Sequence, residues 1–190
     1  QLNGGILKYL EEFPDAKFDY ATSIGVLEYA GRYINDPKPF HAFLDLMGKG
    51  LKRNGHVIIA IENKLGLKYW AGSREDHVRL PFESIQDYPH YNGIRTFGKQ
   101  ELTQLLDECG FADPEFYYPV PDYKMPKAVY SDYFTPGINA APPYSLLPTH
   151  APDQPRDHVF SEQLAMRSIS NNHLFGDFAN SFLVIARKKN

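Results

Sequence analysis

The sequence contains one cysteine, Cys109, among its 190 residues, and it has no strong charge of either sign. A single cysteine excludes an intrachain disulfide and any cysteine-rich metal site, and it favours a reducing, cytoplasmic compartment. The formal net charge of −3 excludes the basic face on which binding to nucleic acid depends. It also excludes an acidic tail and a polybasic membrane patch.

Long apolar runs are missing as well. No stretch approaches the ~20 residues that span a bilayer, and residues 1–5 show neither the basic nor the apolar region of a signal peptide. The sequence does contain 43% hydrophobic and 23% charged residues, which is typical of a chain that folds around a core. Most of its prolines follow residue 80, so we expect long irregular connections in the second half.

The first third of the sequence predicts a strand, a helix and a second strand. Residues 18–24 are rich in aromatic and β-branched side chains, and residues 56–62 contain a continuous apolar run. Between them, Asp36 is the expected N-cap, Pro37 the first helical residue, and Asn54-Gly55 the end of the helix. A strand without polar alternation is covered on both faces, as in a parallel sheet, so this is a βαβ unit.

The rest of the sequence predicts fewer elements. We expect a helix at 99–109 with Gly98 and Glu101 at its start, a weak strand at 115–120 interrupted by Pro119, a helix at 161–170 and a strand at 181–186. The segments at about 63–97 and 121–160 have no period and are predicted to be irregular. The order of elements is that of an α/β protein.

Phosphate-binding glycine loops are absent. The sequence contains no GxGxxG and no GxxxxGK[ST] motif, and Gly4-Gly5 precedes every predicted strand. The ligand site is instead expected where the predicted parallel strands end, because α/β sheets bind ligands at the carboxyl ends of their strands.

Several segments resemble class I S-adenosylmethionine (SAM)-dependent methyltransferases, and in particular the branch found with glycosyltransferases in bacterial cell-surface polysaccharide and lipopolysaccharide biosynthesis. FDYATSI…VLEY is generic for the superfamily, whereas ENKLGLKYWAG followed by REDH is more specific. The similar segments are FDYATSIGVLEYAGRYI (18–34), LKRNG (51–55), HVIIAIENKLGLKYWAG (56–72), REDH (74–77), RTFGKQELTQLLDECGF (95–111) and FANSFLVIA (178–186).

The resemblance implies a Rossmann-like sheet with the strand order 3-2-1-4-5-7-6 and an antiparallel strand 7. On this template, residues 1–190 supply strands 4, 5, 6 and 7 and lack strands 1–3, so they form the C-terminal portion of one methyltransferase domain with a Pro/Tyr-rich insertion. Strand 18–24 then becomes an exposed edge. We expect residues 1–17, a second copy of the chain or another segment to cover it; self-association or docking on a glycosyltransferase would follow.

The resemblance also implies that SAM is the cofactor and that Ser23, Ile24, Gly25 and Tyr29 contact it. The alternative for these positions is an ordinary strand-to-loop turn. Glu28 is expected to orient this loop. A histidine, common in related enzymes at the position of Tyr29, is missing.

Four further residues are candidates for binding the acceptor. Glu62 and Asn63 end the second strand and could bind a sugar hydroxyl, although Glu62 could equally pair with a neighbouring Lys or Arg. Trp70 could stack on a sugar ring or belong to a local apolar cluster. Arg95 could hold an anionic group by a bidentate contact.

The densest acid–base cluster is Glu75-Asp76-His77. A neutral His77 could accept the proton of the acceptor while Asp76 orients the ring. This spacing matches no common metal motif, so no metal is expected. The sequence therefore predicts methylation of a sugar or glycan-related acceptor. A non-catalytic acceptor-recognition or assembly module is the alternative, and a nicotinamide-dependent oxidoreductase is disfavoured because no pyrophosphate loop is present.

Overall fold

The computed structural model describes residues 6–136 and 159–190, and these residues form one mixed five-stranded sheet with helices packed on it. The strands are β1 (Phe18–Ile24), β2 (Leu51–Glu62), β3 (Phe111–Val120), β4 (Ala128–Ser131) and β5 (Ser181–Lys188). The helices are α1 (Ile6–Glu12), α2 (Ala30–Tyr33), α3 (Pro39–Gly50), α4 (Leu67–Trp70), α5 (Lys99–Glu108), α6 (Glu162–Asn171) and α7 (Phe175–Phe178). None of these helices is both long and apolar enough to cross a membrane.

The strands lie in the order β1-β2-β5-β3-β4. β1 and β2 are parallel, whereas β5 is antiparallel both to β2 and to β3. β3 therefore runs in the same direction as β1 and β2, and β5 is inserted between parallel strands. The α/β class is confirmed, and so are the predicted strand at 18–24 and the parallel βαβ unit.

The helix of this unit is shorter than predicted at both ends. α3 begins at Pro39 with Lys38 as N-cap, because Asp36 caps a turn by accepting a hydrogen bond from the Lys38 N–H at 2.7 Å. It ends at Gly50, and β2 starts at once because Leu51 pairs with Phe18. The predictions of Pro37 as the first helical residue and of Asn54-Gly55 as the end were therefore wrong.

The second half contains one strand that the sequence analysis missed. β4 pairs with the end of β3, in a segment that was predicted to be irregular. β3 is longer than predicted and continues through Pro119, which lies beyond Tyr117, the last residue paired with β5. Proline is tolerated there because that part of β3 has one paired neighbour. The remainder of the predicted Pro/Tyr-rich insertion, residues 137–158, lies outside the described residues.

The core is continuous across the sheet. The β2 residues Val57, Ile59 and Ile61 are fully buried, as the uninterrupted apolar run predicted. α5 closes one side with Leu102 and Leu106, and its start is the predicted one: the Glu101 side chain accepts a hydrogen bond from the Gly98 N–H at 2.8 Å. These contacts fix the carboxyl ends of β1, β2 and β3 relative to one another.

One face of β1 is not covered by the described residues. Alternate side chains along the strand are exposed, among them Phe18, Tyr20 (62% exposed) and Ile24. α1 covers only the beginning of this row, where Tyr9 lies 5.8 Å from Phe18 between ring centroids. Among the described residues β1 pairs on one side only, with β2, so it is an edge strand with an apolar face.

Candidate functional site

The candidate site lies at the carboxyl ends of β1 and β2. The two strands are parallel and adjacent, and the Gly25 N–H extends their pairing by donating to the carbonyl of Ala60 at 2.9 Å. Gly25 has a φ of +61°, a conformation that glycine adopts without strain. A Cβ on Gly25 would lie 2.8 Å from the Tyr123 hydroxyl. The backbone and Tyr123 are therefore in close contact at this point.

Three buried carboxylates converge here from three segments. Glu28 lies in a single 3₁₀ turn after β1, Glu62 is the last residue of β2, and Glu75 lies in the loop after α4. Their exposed fractions are 1%, 0% and 0%. Ionised carboxylates are rarely buried without positive partners or metal ions, so the groups that face them decide what the site can do.

His77 lies between the three carboxylates. Its Nδ1 atom is 2.9 Å from Glu75 Oε1, while its Nε2 atom is 3.5 Å from Glu28 Oε1 and 3.8 Å from Glu62 Oε2. The Tyr29 ring packs edge-on against the imidazole, 5.2 Å away between centroids. Only 6% of the His77 side chain is exposed.

This environment favours the protonated form of His77. Burial alone lowers the pKa of an imidazole, but the hydrogen bonds and charges of Glu28, Glu75 and Glu62 outweigh it and raise the pKa of His77 to about 10. The three carboxylates therefore favour the protonated form of the ring. This setting differs from the neutral base that the sequence analysis expected.

Lys124 and Tyr123 complete the cluster around Glu62. The Lys124 ammonium donates to Glu62 Oε1, and the Tyr123 hydroxyl lies 3.5 Å from Glu62 Oε2. Burial, together with the charges of Glu62 and Glu28, raises the pKa of Tyr123 well above its ordinary value, so the phenol stays neutral. In contrast, Glu28 Oε2 is buried and has no hydrogen-bond partner.

Asp76 belongs to a separate ion pair. Its Oδ2 atom accepts hydrogen bonds from the Lys68 ammonium and the Tyr69 hydroxyl, both at 2.5 Å. Burial raises the pKa of Asp76, but the Lys68 charge and these hydrogen bonds outweigh it and lower the pKa below its ordinary value. The carboxylate that orients the His77 ring is that of Glu75 rather than Asp76.

The side chain of Asn63 is occupied by hydrogen bonds to backbone groups. Its side-chain amide donates to the carbonyls of Asp177 and Ala179 at 2.7 and 2.8 Å, and its oxygen accepts from the Leu65 N–H at 2.9 Å. The side chain is fully buried and joins the end of β2 to the segment before β5. These bonds favour a structural role over contact with an acceptor.

Arg95 and Trp70 are also held by neighbours. Arg95 lies 2.9 Å from Asp87 and 3.0 Å from Glu101, so its charge is already paired. The Trp70 indole N–H donates to the Leu65 carbonyl at 3.2 Å, and the ring leaves 40% of its surface exposed. Trp70 therefore keeps an open face for stacking, whereas Arg95 does not offer an unpaired cation.

The residues predicted to contact the donor lie at the end of β1 and in the turn after it. Ser23 is buried, and its hydroxyl has no hydrogen-bond partner. Ile24 is about half exposed, and Gly25 follows it in the left-handed conformation. The unpartnered hydroxyl of Ser23 and the exposed side chain of Ile24 fit contact with a ligand.

Sequence reasoning missed Tyr123 and Lys124. Both follow the carboxyl end of β3, and the rule that pointed to Glu62 applies to this strand as well. β5 separates β3 from β2, so only the folded sheet shows that the chain after β3 turns back across the end of β2.

Comparison with known proteins yields structural matches only. No family model matches the sequence, and no curated protein matches it. A SAM-dependent methyltransferase from Archaeoglobus fulgidus has 16% identity and a TM-score of 0.49, over 98% of this chain and 66% of that chain. One from Thermotoga maritima has 16% identity and a TM-score of 0.45, over 93% and 57%, respectively. A third, from Mesorhizobium loti, has 15% identity and a TM-score of 0.38, over 90% and 62%. The chain thus spans about three fifths of the length of these structures. The order and directions of its strands describe its fold more firmly than these low TM-scores do.

Proposed function

We propose that the chain is part of a class I SAM-dependent methyltransferase and forms the acceptor side of its active site. The observation that carries this proposal is the order β1-β2-β5-β3, with the antiparallel β5 inserted between parallel strands. In the class I sheet, strands 4-5-7-6 have this order, and strand 7 has this direction. β4 is then an addition at the outer edge.

On this template, strands 1–3 would continue the sheet from β1. Support comes from the position of β1 at the edge of the described sheet and from its uncovered apolar face at Phe18, Tyr20 and Ile24. The segments that bind most of the SAM molecule would then lie beyond the β1 edge of the sheet. Residues 1–190 would then be the C-terminal portion of one domain.

The residues after β1 fit the methionine part of SAM. The unpartnered Ser23 hydroxyl offers a hydrogen bond, and Gly25 turns the backbone in the left-handed conformation beside it. When bound, SAM supplies an electrophilic methyl group. The chain must hold the acceptor atom in line with it, at about 3 Å.

A hydroxyl acceptor also loses a proton during methyl transfer. The three carboxylates around His77 favour its protonated form, whereas Glu28 has a buried oxygen without a partner. We therefore assign the role of proton acceptor to the Glu28 carboxylate and the role of positioning residue to His77. Lys124 and Tyr123 hold Glu62 in place beside them.

A sugar or glycan-related acceptor in cell-surface polysaccharide biosynthesis fits this site. Carboxylates such as Glu28 and Glu62 accept hydrogen bonds from sugar hydroxyls, and the open face of Trp70 offers a surface for stacking. A non-catalytic assembly module that docks on a glycosyltransferase is the second candidate, because β1 presents an uncovered apolar face.

Titration with SAM tests the proposal. The full-length product of the gene that encodes this chain is titrated with SAM and S-adenosylhomocysteine by calorimetry, and residues 1–190 are titrated in parallel. We expect the full-length protein to bind both ligands and Gly25→Ala to weaken binding by tenfold or more. Gly110→Ala is the matched control, because Gly110 also has a positive φ but a Cβ there would meet no atom within 4 Å.

Two results would overturn the methyltransferase proposal. One is absence of SAM binding by a folded full-length protein. The other is equal affinity of Gly25→Ala and Gly110→Ala, with thermal melting showing that both are folded. If the full-length protein binds SAM but residues 1–190 do not, the proposal that strands 1–3 carry most of the SAM-binding residues is supported.

A further inference from the structure

The side chains of Glu28, Glu62 and His77 present three ligand atoms to one point. Two carboxylate oxygens and one imidazole nitrogen all lie within 4.8 Å of one another. His77 Nε2 is 3.5 Å from the nearer oxygen of Glu28 and 3.8 Å from that of Glu62. Ligands bound at about 2.1 Å in a tetrahedral metal site lie ~3.4 Å apart, so the two distances from His77 would need to shorten only slightly.

A second, independent observation comes from Glu28. Only 1% of this residue is exposed, and its Oε2 atom has no hydrogen-bond partner. Most buried polar atoms in proteins have a partner, and an unpaired carboxylate oxygen is especially costly. The atom therefore has a free coordination position, and it belongs to a residue whose other oxygen already faces His77.

Glu75 fixes the imidazole in the orientation that a metal needs. It bonds Nδ1 at 2.9 Å, and its other oxygen accepts from the backbone N–H groups of His77 and Val78, both at 2.7 Å. This leaves Nε2 directed at Glu28 and Glu62. Metal-bound histidines typically have a carboxylate on the second ring nitrogen in this way.

The charges point in the same direction. Among the described residues, the carboxylates of Glu28, Glu62 and Glu75 face two basic side chains, His77 and Lys124. Lys124 bonds Glu62 and is half exposed, and the basic group that lies beside Glu28 is the His77 ring. A dication at the centre would neutralise both metal-facing carboxylates.

We propose that Glu28, Glu62 and His77 bind a divalent transition-metal ion, with Glu75 as the residue that positions the imidazole. Metal ligation takes the imidazole in its neutral form, so the ion and the Nε2 proton are alternatives at this position. The mixed nitrogen and oxygen donors favour Zn²⁺ or Mn²⁺ over Mg²⁺ and Ca²⁺, which prefer sites made of oxygen alone.

The role of the ion rests on the proposed function. Three protein ligands leave a coordination position open, at the carboxyl ends of β1 and β2 where the acceptor is placed. An acceptor hydroxyl bound there would be acidified by the ion, and its proton would pass to solvent as the methyl group is transferred. In the metal-bound form Glu28 would therefore act as a ligand, and the ion would replace it as the group that promotes loss of the proton. The substrate class narrows accordingly to acceptors that offer a metal-binding oxygen, such as a hydroxyl with an adjacent oxygen.

Metal titration without SAM tests the inference separately from the proposed function. The full-length protein is treated with a chelator, dialysed, and titrated with ZnCl₂, MnCl₂ and MgCl₂ by calorimetry, and the bound metal is counted by atomic emission. We expect one Zn²⁺ or Mn²⁺ per chain and at least tenfold weaker binding of Mg²⁺. Glu28→Gln and His77→Asn are each expected to weaken Zn²⁺ binding tenfold or more.

Glu83→Gln is the matched control. Glu83 is also buried and also bonds a histidine, His90, but it lies outside the cluster. We expect this variant to bind Zn²⁺ as the wild type does. Lys124→Met changes a half-exposed side chain and removes the cation that competes for Glu62, so it is expected to tighten Zn²⁺ binding severalfold.

The outcomes separate clearly. Absence of a stoichiometric metal in the folded wild type overturns the inference, and so does Zn²⁺ binding that Glu28→Gln and Lys124→Met both leave unchanged. If SAM binds while no metal does, the metal site alone is rejected. If metal binds while SAM does not, the metal site stands and the methyltransferase proposal falls.

Discussion

The Glu75 carboxylate hydrogen-bonds to both the imidazole ring and the backbone N–H of His77. One oxygen bonds the ring at Nδ1, and the other accepts the N–H groups of His77 and Val78. The first oxygen also lies 3.2 Å from the Tyr88 hydroxyl. A buried side chain therefore fixes the orientation of His77 within its loop.

The substitution Glu75→Gln tests this arrangement. The amide would place a donor against groups that themselves donate, so we expect a loss of about 2–3 kcal/mol in the free energy of unfolding. Urea denaturation measures the loss. Glu115→Gln, at an exposed position of β3, is expected to change the stability by less than about 0.5 kcal/mol. Equal stabilities of the two variants would contradict the structural role of Glu75.

Two glycines in helices are expected to respond in opposite directions to alanine. A Cβ at Gly176 in α7 would lie 2.5 Å from the Tyr118 hydroxyl, so Gly176→Ala should destabilise the protein by about 1–3 kcal/mol. A Cβ at Gly48 in α3 would meet only Phe111, at an ordinary distance of 3.6 Å. Gly48→Ala should therefore stabilise it by about 0.5–1 kcal/mol. Thermal melting of the two variants beside the wild type checks both signs, and a shift in the same direction would refute the packing described.

Acid is expected to weaken the contact between Lys64 and Glu101, whose charged atoms are 2.7 Å apart. Burial raises the pKa of Glu101, but hydrogen bonds from Lys64 and the Gly98 N–H outweigh it and lower the pKa below its ordinary value. The folded state then binds this proton less readily than the unfolded state. The contribution to stability is present above the unfolded pKa of about 4.3, and it is lost as the pH falls through the lower, folded value.

Urea denaturation between pH 7 and pH 3 measures this effect. Glu101→Gln should lose stability at pH 7 and should show a smaller decrease toward pH 3 than the wild type does. Glu115→Gln removes one carboxylate elsewhere and should keep the wild-type pH dependence. An unchanged pH dependence in Glu101→Gln would exclude the pair as a source of acid sensitivity.

The uncovered face of β1 predicts self-association of residues 1–190. Tyr20 stands in a row of exposed side chains on an edge strand, and a lysine there should oppose pairing. We expect light scattering to show a mass that rises with concentration for the wild type, and a lower mass for Tyr20→Lys. Tyr33→Lys, at a tyrosine that is also exposed but lies outside β1, is the control. Equal masses for wild type and Tyr20→Lys would rule out this face as the contact.

The sequence predicted the elements whose signals are local. The apolar run Val57–Ile61 identified β2, and Gly98 with Glu101 identified the start of α5. The ends of α3 were missed because the sequence DPKP offers two prolines and because Leu51 leaves the helix to pair with Phe18. β4 was missed because its pairing with β3 depends on a turn within a proline-rich stretch.

The sequence pointed to the strand ends where the candidate site lies, but it did not indicate which side chains meet there. Glu62 was found because it ends a buried strand, and His77 because it lies in an acid–base cluster. The partners of His77 are Glu75, two residues away, together with Glu28 and Glu62 from other segments. No sequence spacing encodes that convergence, and the raised pKa of His77 follows from carboxylates that only the folded chain brings together.

The position of β5 also has a consequence for biosynthesis. β1, β2, β3 and β4 all leave the ribosome before β5, yet β5 lies between β2 and β3 and joins them. Until it emerges, the nascent chain holds two separate half-sheets with open inner edges, which are sites for unwanted pairing. Completion of this sheet therefore depends on the emergence of β5, and chaperones that shield strand edges should act on the chain before that point.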